Sequence, residues 1–288
     1  MAASGHPDDL LAAARPLIRL ALQEDLGSGD LTTEACVPPG ARGRARILAK
    51  RPTVACGLFL AGEVFGALSE EVRCRELVPE GAAVRGGRDL LHLEGPLAAL
   101  LGGERVVLNL LGRLCGIAAW TRRFRRAAGP RVQLLDTRKT TPGMRVLEKY
   151  AVRTGGGTNH RVGLWDRILI KENHVAAAGG IVEALARARS HARGRPVQIE
   201  VRTLEELVLA LEAGADSILL DNMDLDRLRD AVRLAGGRCP LEASGGVDLR
   251  SIAAVAATGV DRVSVGALTH SSPHADLSML VLQDGREP

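Results

Sequence analysis

Only four of the 38 basic residues are lysines, and three of them, Lys139, Lys149 and Lys171, fall between Asp136 and His174. Elsewhere, apart from Lys50, positive charge is written as arginine. Lysine is a compact, flexible point charge whose pKa moves readily, whereas arginine is a rigid fork, so a local use of lysine marks chemistry that arginine cannot replace. The same stretch holds Arg138, His160, Arg161, Arg167 and His174, interleaved with Thr140-Thr141-Pro142-Gly143 and Gly155-Gly156-Gly157. So many cations in a partly dry pocket repel one another unless a polyanion joins them. The expected ligand therefore carries carboxylates or phosphates, with arginine suited to gripping a carboxylate and lysine to a phosphate or a reacting centre. Surface charges with local salt bridges are the plain alternative.

Two acids accompany them. Glu200 lies inside the apolar run 197–201, where a carboxylate is unfavourable unless it meets a cation or hydroxyls, and Asp221 stands at the end of the run 217–220. A divalent metal with sugar hydroxyls would satisfy both, and a strand-end arginine would do so without chemistry. Ser244-Gly245-Gly246 and Val265-Gly266-Ala267 bring glycines that let backbone N–H groups approach a phosphate, although each is also compatible with an ordinary turn. The triple glycine reads as a flexible approach delivering His160 and Arg161. The sequence has no dinucleotide fingerprint, P-loop, H-E-x-x-H or G-x-S-x-G.

The elements that position these residues follow from periodicity. Apolar runs at 132–135, 168–170, 197–201, 217–220, 240–243 and 262–265 alternate with amphipathic helical patterns such as 204–213, 225–234 and 249–257. That alternation predicts a parallel sheet covered by helices, and six or seven such units suggest a β/α barrel, with an open doubly wound sheet as the other possibility. In a barrel the polar residues just past the strand ends converge on the C-terminal face. Upstream, a helix at 8–23, a polar loop at 24–32 and strand-like pieces at 41–50, 71–78 and 90–94 read as a separate α/β unit. A long helical pattern starts after Pro96.

Composition narrows the function. With 288 residues, 46% hydrophobic, the chain can bury a large core. A net charge of +4 permits nucleic-acid binding, but one Tyr, two Trp and three Phe offer few stacking platforms, so no nucleic-acid partner is expected. The basic run Arg122 to Arg126 reads as a solvated last helical turn. Five cysteines without a C-x-x-C pair argue against a zinc ribbon or a disulfide framework and for a reducing cytoplasm. The most apolar region, 97–120, is broken by Glu104, Arg105 and Arg113, so no membrane span is expected.

Taken together, Asp136-Thr-Arg-Lys-Thr-Thr-Pro-Gly143, Glu148-Lys-Tyr-Ala151, Gly155-Gly-Gly-Thr-Asn-His-Arg161, Ile170-Lys-Glu-Asn-His174, Leu219-Leu-Asp-Asn222 and Glu242-Ala-Ser-Gly-Gly246 resemble quinolinate phosphoribosyltransferase, also called nicotinate-nucleotide pyrophosphorylase (carboxylating). The resemblance extends upstream to Glu24-Asp25, Gly29-Asp30 and Gly103-Glu-Arg-Val-Val-Leu-Asn109. It implies a type II phosphoribosyltransferase: an N-terminal α/β sandwich over 1–110, joined by 276–288, and an open seven-stranded β/α barrel over 111–275. It further implies that quinolinate and 5-phosphoribosyl 1-diphosphate become nicotinate mononucleotide, CO2 and diphosphate, with Mg2+. Quinolinate would be held by Arg105, Thr137, Arg138, Lys139, His160, Arg161 and Lys171, with Arg105 reaching in from a neighbouring subunit of a homodimer or an assembly of dimers. Glu200 and Asp221 would meet the ribose and the metal-diphosphate end, the metal contact being indirect. Ser244, Gly245, Gly246, Ser264, Val265 and Gly266 would cradle the 5-phosphate. Lys139, Lys171, Glu200 and Asp221 are the expected catalytic set. At position 202, where the family usually has an acid, this chain has Arg202. A transferase for another aromatic acid, or a non-catalytic barrel that binds a sugar phosphate, would share the basic pocket.

Overall fold

In β1 (Arg42–Ala49) the buried residues are Ala45, Ile47 and Ala49, while Arg42 and Arg44 are exposed, which is the two-residue period of a strand with one wet face. This strand belongs to a computed structural model that describes residues 7–282. The chain divides into two compact units. One comprises residues 7–120, Thr140–Gly155 and 272–282, and the other comprises Thr121–Lys139 and Gly156–Ser271.

The first unit continues with β2 (Thr53–Val54), β3 (Arg73–Glu76), β4 (Ala83–Val84) and β5 (Asp89–Pro96). β5 pairs antiparallel with both β1 and β3, and β2 pairs with β4. The helix Pro7–Leu26 packs against the helices Leu60–Gly66 and Arg145–Thr154. The loop expected at 24–32 is shorter than its sequence suggested. The first helix runs on to Leu26, and Asp30 caps the helix Leu31–Cys36 by accepting the N–H groups of Thr32 and Thr33 at 3.1 and 3.0 Å. The helix Leu97–Ala128 follows β5, and near its end the Arg125 guanidinium bonds the carbonyls of Pro130 and Val132 beyond the helix.

The second unit carries six parallel strands: β6 (Gln133–Leu135), β7 (Ile168–Ile170), β8 (Val197–Val201), β9 (Ser217–Asp221), β10 (Leu241–Ser244) and β11 (Arg262–Ser264). Their spatial order is β6-β11-β10-β9-β8-β7, so the first strand in sequence pairs with the last. That cyclic order, cut between β6 and β7, is the strand order of a barrel. The seventh position is reduced to one residue. Thr158 bridges Leu135 in parallel, donating its N–H to Leu134 and accepting that of Asp136. β7 has a strand neighbour on one side only, which leaves the barrel open there. Ile199, Ile218, Leu220 and Val263 are fully buried, and each buried side chain of this size contributes about 1.5–3 kcal/mol.

The last strand, β12 (Leu277–Leu282), pairs antiparallel with β1 and completes the four-stranded sheet β12-β1-β5-β3. Residues 1–6 and 283–288, parts of the segments expected at the two termini, lie outside the described residues. Among those described, no helix is long and apolar enough to cross a membrane.

Candidate active site

One hydrogen bond defines the inside of the barrel. Gln198 Nε2 on β8 donates to Glu242 Oε2 on β10 at 2.8 Å, although β9 lies between those strands, so the contact crosses the interior. Parallel register then carries that face around the sheet. Leu219 stands opposite both Glu200 and Glu242, Asp221 opposite Ser244, and Arg262 opposite Glu242. With a period of two, Glu200, Asp221, Ser244 and Ser264 point inward at the C-terminal strand ends, and Lys171, one residue beyond β7, continues the same face.

At this rim the charges are paired across strands. Lys171 Nζ donates to Glu200 Oε2 at 2.9 Å. The Lys171 backbone is fixed by His174, whose Nδ1 accepts the Lys171 N–H at 3.0 Å and whose own N–H donates to the Lys171 carbonyl at 2.8 Å. Asp221 Oδ2 accepts from Asn222 Nδ2 at 2.9 Å and lies 3.8 Å from Arg202 Nε. Asn222 has φ 54°, a left-handed conformation that asparagine tolerates, and donates its N–H to the Ser244 carbonyl. Gly245 has φ 100°, and a Cβ there would stand 2.1 Å from Asn222 Oδ1, so the turn after β10 requires glycine.

On the opposite side of the rim, the Lys139 N–H donates to Thr137 Oγ1 at 3.0 Å and its carbonyl accepts from Thr269 Oγ1 at 2.7 Å. A Cβ on Gly266 would lie 3.0 Å from Lys139 Cδ, which places this lysine stem against the turn after β11. In that turn the Val265 N–H is taken by Leu135.

Below the rim sits a buried polar cluster. Asp136, fully buried, accepts the His160 N–H at 2.8 Å and Asn159 Nδ2 at 2.6 Å. His160 Nδ1 accepts the Arg161 N–H at 2.7 Å, which assigns the ring hydrogen to Nε2, facing Gln198 Oε1 at 2.9 Å and Glu242 Oε2 at 3.3 Å. The triple glycine therefore leads into an anchored segment rather than a flexible approach, with Thr158 in the sheet and His160 in the core. Burial alone would raise the Glu242 carboxyl, but hydrogen bonds, from His160 first and then from Gln198 and Ser264, outweigh it and leave the group below the ordinary range. Arg161 is itself buried. Burial and the positive charges of Arg138 and Arg167 lower its guanidinium from the usual value, against the opposing pull of Asp166 and Glu200. A cation held under such pressure favours an anionic ligand.

Glu242 and Gln198 were not singled out from the sequence as site residues. Their signal was the one that marked Glu200, a polar side chain inside an apolar strand. Arg105 is exposed on the helix Leu97–Ala128 in the first unit. Lys149, also in that unit, is buried.

Glu200 and Asp221 suit a metal supplied with substrate. Both are inward carboxylates, 10% and 16% exposed, but among the described residues no cluster of three or more His, Cys, Asp or Glu makes an all-protein metal site. Mg2+ is commonly bound by one or two carboxylates together with substrate phosphates.

Residues 30–115 match the quinolinate phosphoribosyl transferase N-terminal domain, and residues 117–280 match its C-terminal domain. The chain belongs to the quinolinate phosphoribosyl transferase family. It is 46% identical over 259 residues to the probable nicotinate-nucleotide pyrophosphorylase [carboxylating] of Bacillus subtilis, covering 89% of each chain. With the nicotinate-nucleotide pyrophosphorylase [carboxylating] of Mycobacterium leprae it shares 43% identity, covering 93% of this chain and 96% of that one. The solved structure of the nicotinate-nucleotide pyrophosphorylase from Francisella tularensis has a TM-score of 0.91 at 38% identity, covering 94% of this chain and 96% of that one. The resemblance read from the motifs is thereby shown, and with it the fold class of a β/α barrel with a separate N-terminal sheet domain. The two matched regions of the quinolinate phosphoribosyl transferase family meet within the single helix Leu97–Ala128.

Proposed function

We propose that the protein transfers the phosphoribosyl group of 5-phosphoribosyl 1-diphosphate to quinolinate with loss of CO2, giving nicotinate mononucleotide and diphosphate, a step of NAD biosynthesis. The observation that carries this reading is the convergence of Lys171, Glu200, Asp221 and Ser244 on the inward face at the C-terminal ends of four adjacent parallel strands. The names of the relatives support it.

In this reading Thr137, Arg138, Lys139, Arg161 and Lys171 hold the two carboxylates of quinolinate. His160, whose ring nitrogens are engaged by protein groups, acts by fixing the Arg161 backbone. Ser244, Gly245, Gly246, Ser264, Val265 and Gly266 line the 5-phosphate, and Glu200 and Asp221 meet the ribose. Mg2+ bound with the diphosphate would be held at the Glu200 and Asp221 end and would neutralise the leaving group. As diphosphate departs, positive character develops at the sugar carbon, and the two fixed carboxylates stabilise it. The pyridine nitrogen attacks that carbon. The resulting cationic ring accepts the electron pair left when the 2-carboxylate leaves as CO2, and a proton then replaces it. Lys139 and Lys171 orient that carboxylate.

Arg105 is proposed to complete the site of a neighbouring subunit in a homodimer or an assembly of dimers. Mixing inactive Arg105→Ala and Lys171→Ala proteins and allowing subunits to exchange should then restore activity, because each hybrid contains one intact site. The five free cysteines support residence in the cytoplasm.

The substrate assignment is tested by measuring diphosphate and CO2 release with quinolinate or nicotinate as acceptor in the presence of Mg2+. Quinolinate should give both products in equal amounts, and nicotinate neither at a comparable rate. Equal diphosphate release from the two acids would assign the barrel to a related transferase, and none from either would favour a binding protein.

A further inference from the structure

Arg202 follows β8, two residues beyond Glu200 and on the same inward parity. The pairing of Val201 with Leu220 carries on to place it beside Asp221. Its guanidinium reaches two acids: Nη1 lies 2.6 Å from Glu172 Oε2, and Nε lies 3.8 Å from Asp221 Oδ2. Its backbone is fixed, since its N–H donates to Glu206 Oε2 at 2.7 Å while Thr203 caps the helix Leu204–Glu212. The side chain is held more loosely. Arg202 and Glu172 are 51% and 59% exposed, and an ion pair this open to water is weak.

We propose that Arg202 is a diphosphate-binding residue, parked on Glu172 and Asp221 in the ligand-free protein and transferred to the leaving diphosphate when the sugar substrate binds. This rests on the functional reading above and deepens it. Three features of the site point the same way. A guanidinium fork grips phosphate oxygens as well as it grips a carboxylate, and diphosphate offers it more negative charge than the single exposed Glu172 does. Glu172 is the first residue of the helix Glu172–Ala178 and sits outside the strand-end carboxylate pair, so releasing it disturbs neither Glu200 nor Asp221. Arg202 also stands beside Asp221, one of the two acids at the proposed metal-diphosphate end, so its charge adds to that of the metal at the same leaving group.

The test is calorimetric titration of the full-length protein with inorganic diphosphate, with and without Mg2+, alongside steady-state kinetics. Arg202→Gln should weaken diphosphate binding about tenfold and raise KM for the sugar substrate to match, with the larger effect at low Mg2+. Arg202→Lys should recover part of the loss, and quinolinate affinity should stay within about twofold of wild type in both, because these half-exposed changes remove little packing. Glu172→Gln, which frees the arginine, should bind diphosphate at least as tightly as wild type. Unchanged diphosphate affinity in Arg202→Gln, or weakened affinity in Glu172→Gln, overturns the role of Arg202. Failure of the wild type to convert quinolinate would instead overturn the functional reading, an outcome seen separately in the same kinetics.

Discussion

The His160–Gln198–Glu242 cluster and the Lys171–Glu200 pair occupy the same inward face of the barrel, with Gln198 and Glu200 only two residues apart on β8. In the lower cluster the side chains are almost wholly buried, with His160 and Glu242 at 6% and 1% exposure, and hydrogen bonds among them and from the Arg161 backbone satisfy the histidine ring. At the rim, Lys171 is 47% exposed and its carboxylate partner can be exchanged for a ligand. A buried network of this kind rigidifies, because breaking any member leaves a desolvated polar group behind. A half-exposed pair costs little to open. In the proposed mechanism the barrel thus separates support from chemistry by depth. The floor holds the Arg161 backbone, and the rim holds cations and acids that, in the proposed reaction, leave one another for substrate.

Substitutions at the two depths should therefore fail in different ways. Lys171→Ala at the rim should lower kcat/KM for quinolinate by about 10^2–10^3-fold while shifting the melting temperature very little, since an exposed pair contributes about 0–1 kcal/mol. Near-normal turnover in that variant would remove Lys171 from the chemistry. Glu242→Ala on the floor should destabilise the fold by about 3 kcal/mol, because Gln198 Nε2 loses its acceptor in the dry interior and His160 Nε2 keeps only Gln198 Oε1, and urea titration would read that loss. Stability equal to wild type would mean that the floor is not a rigid network.

Between the two levels, Gly245→Ala should cost about 1–3 kcal/mol through its positive φ and the clash with Asn222, and should weaken binding of the sugar phosphate as the turn after β10 shifts. The smallest effect concerns pH. The Glu242 carboxyl is depressed in the folded state, so its contribution is fully present above the ordinary glutamate value of 4.5 and is lost as pH falls through the lower folded value. Glu242→Gln should therefore flatten the acid limb of the stability profile relative to wild type, and an acid limb identical in both proteins would contradict the assignment.

Much of the fold could be read from the sequence where one signal dominated. The strand Ile168–Ile170 stands where its apolar run predicted, because a parallel strand buried on both faces writes a continuous apolar stretch, and Val197–Val201 does so although Gln198 and Glu200 interrupt its run. Thr158 could not be read that way, since a single bridged residue has no period. Only the first two residues of the helix Leu31–Cys36 fall in the loop expected at 24–32, where a polar start looks like a turn, although Asp30 before Thr32 and Thr33 is the capping signal. At the site, the residues past the strand ends were legible because the barrel turns sequence position into spatial convergence. Glu242 and Gln198 were harder to recognise. Each is polar within an apolar run, but only the register shows that both face inward and meet across β9. The pairing of Arg202 with Glu172 and Asp221 joins positions from three separate β/α segments, which no local pattern encodes.

The proposed reaction requires one pocket at the barrel mouth that receives a pyridine dicarboxylate. A crystal structure of the protein with quinolinate tests this most directly. Both carboxylates should lie within hydrogen-bond distance of groups among Arg138, Lys139, Arg161 and Lys171, with the ring nitrogen facing Glu200 and Asp221 across the space left for the ribose. Quinolinate bound outside the barrel, or at the mouth without contact to Arg161 or either lysine, would contradict that proposal.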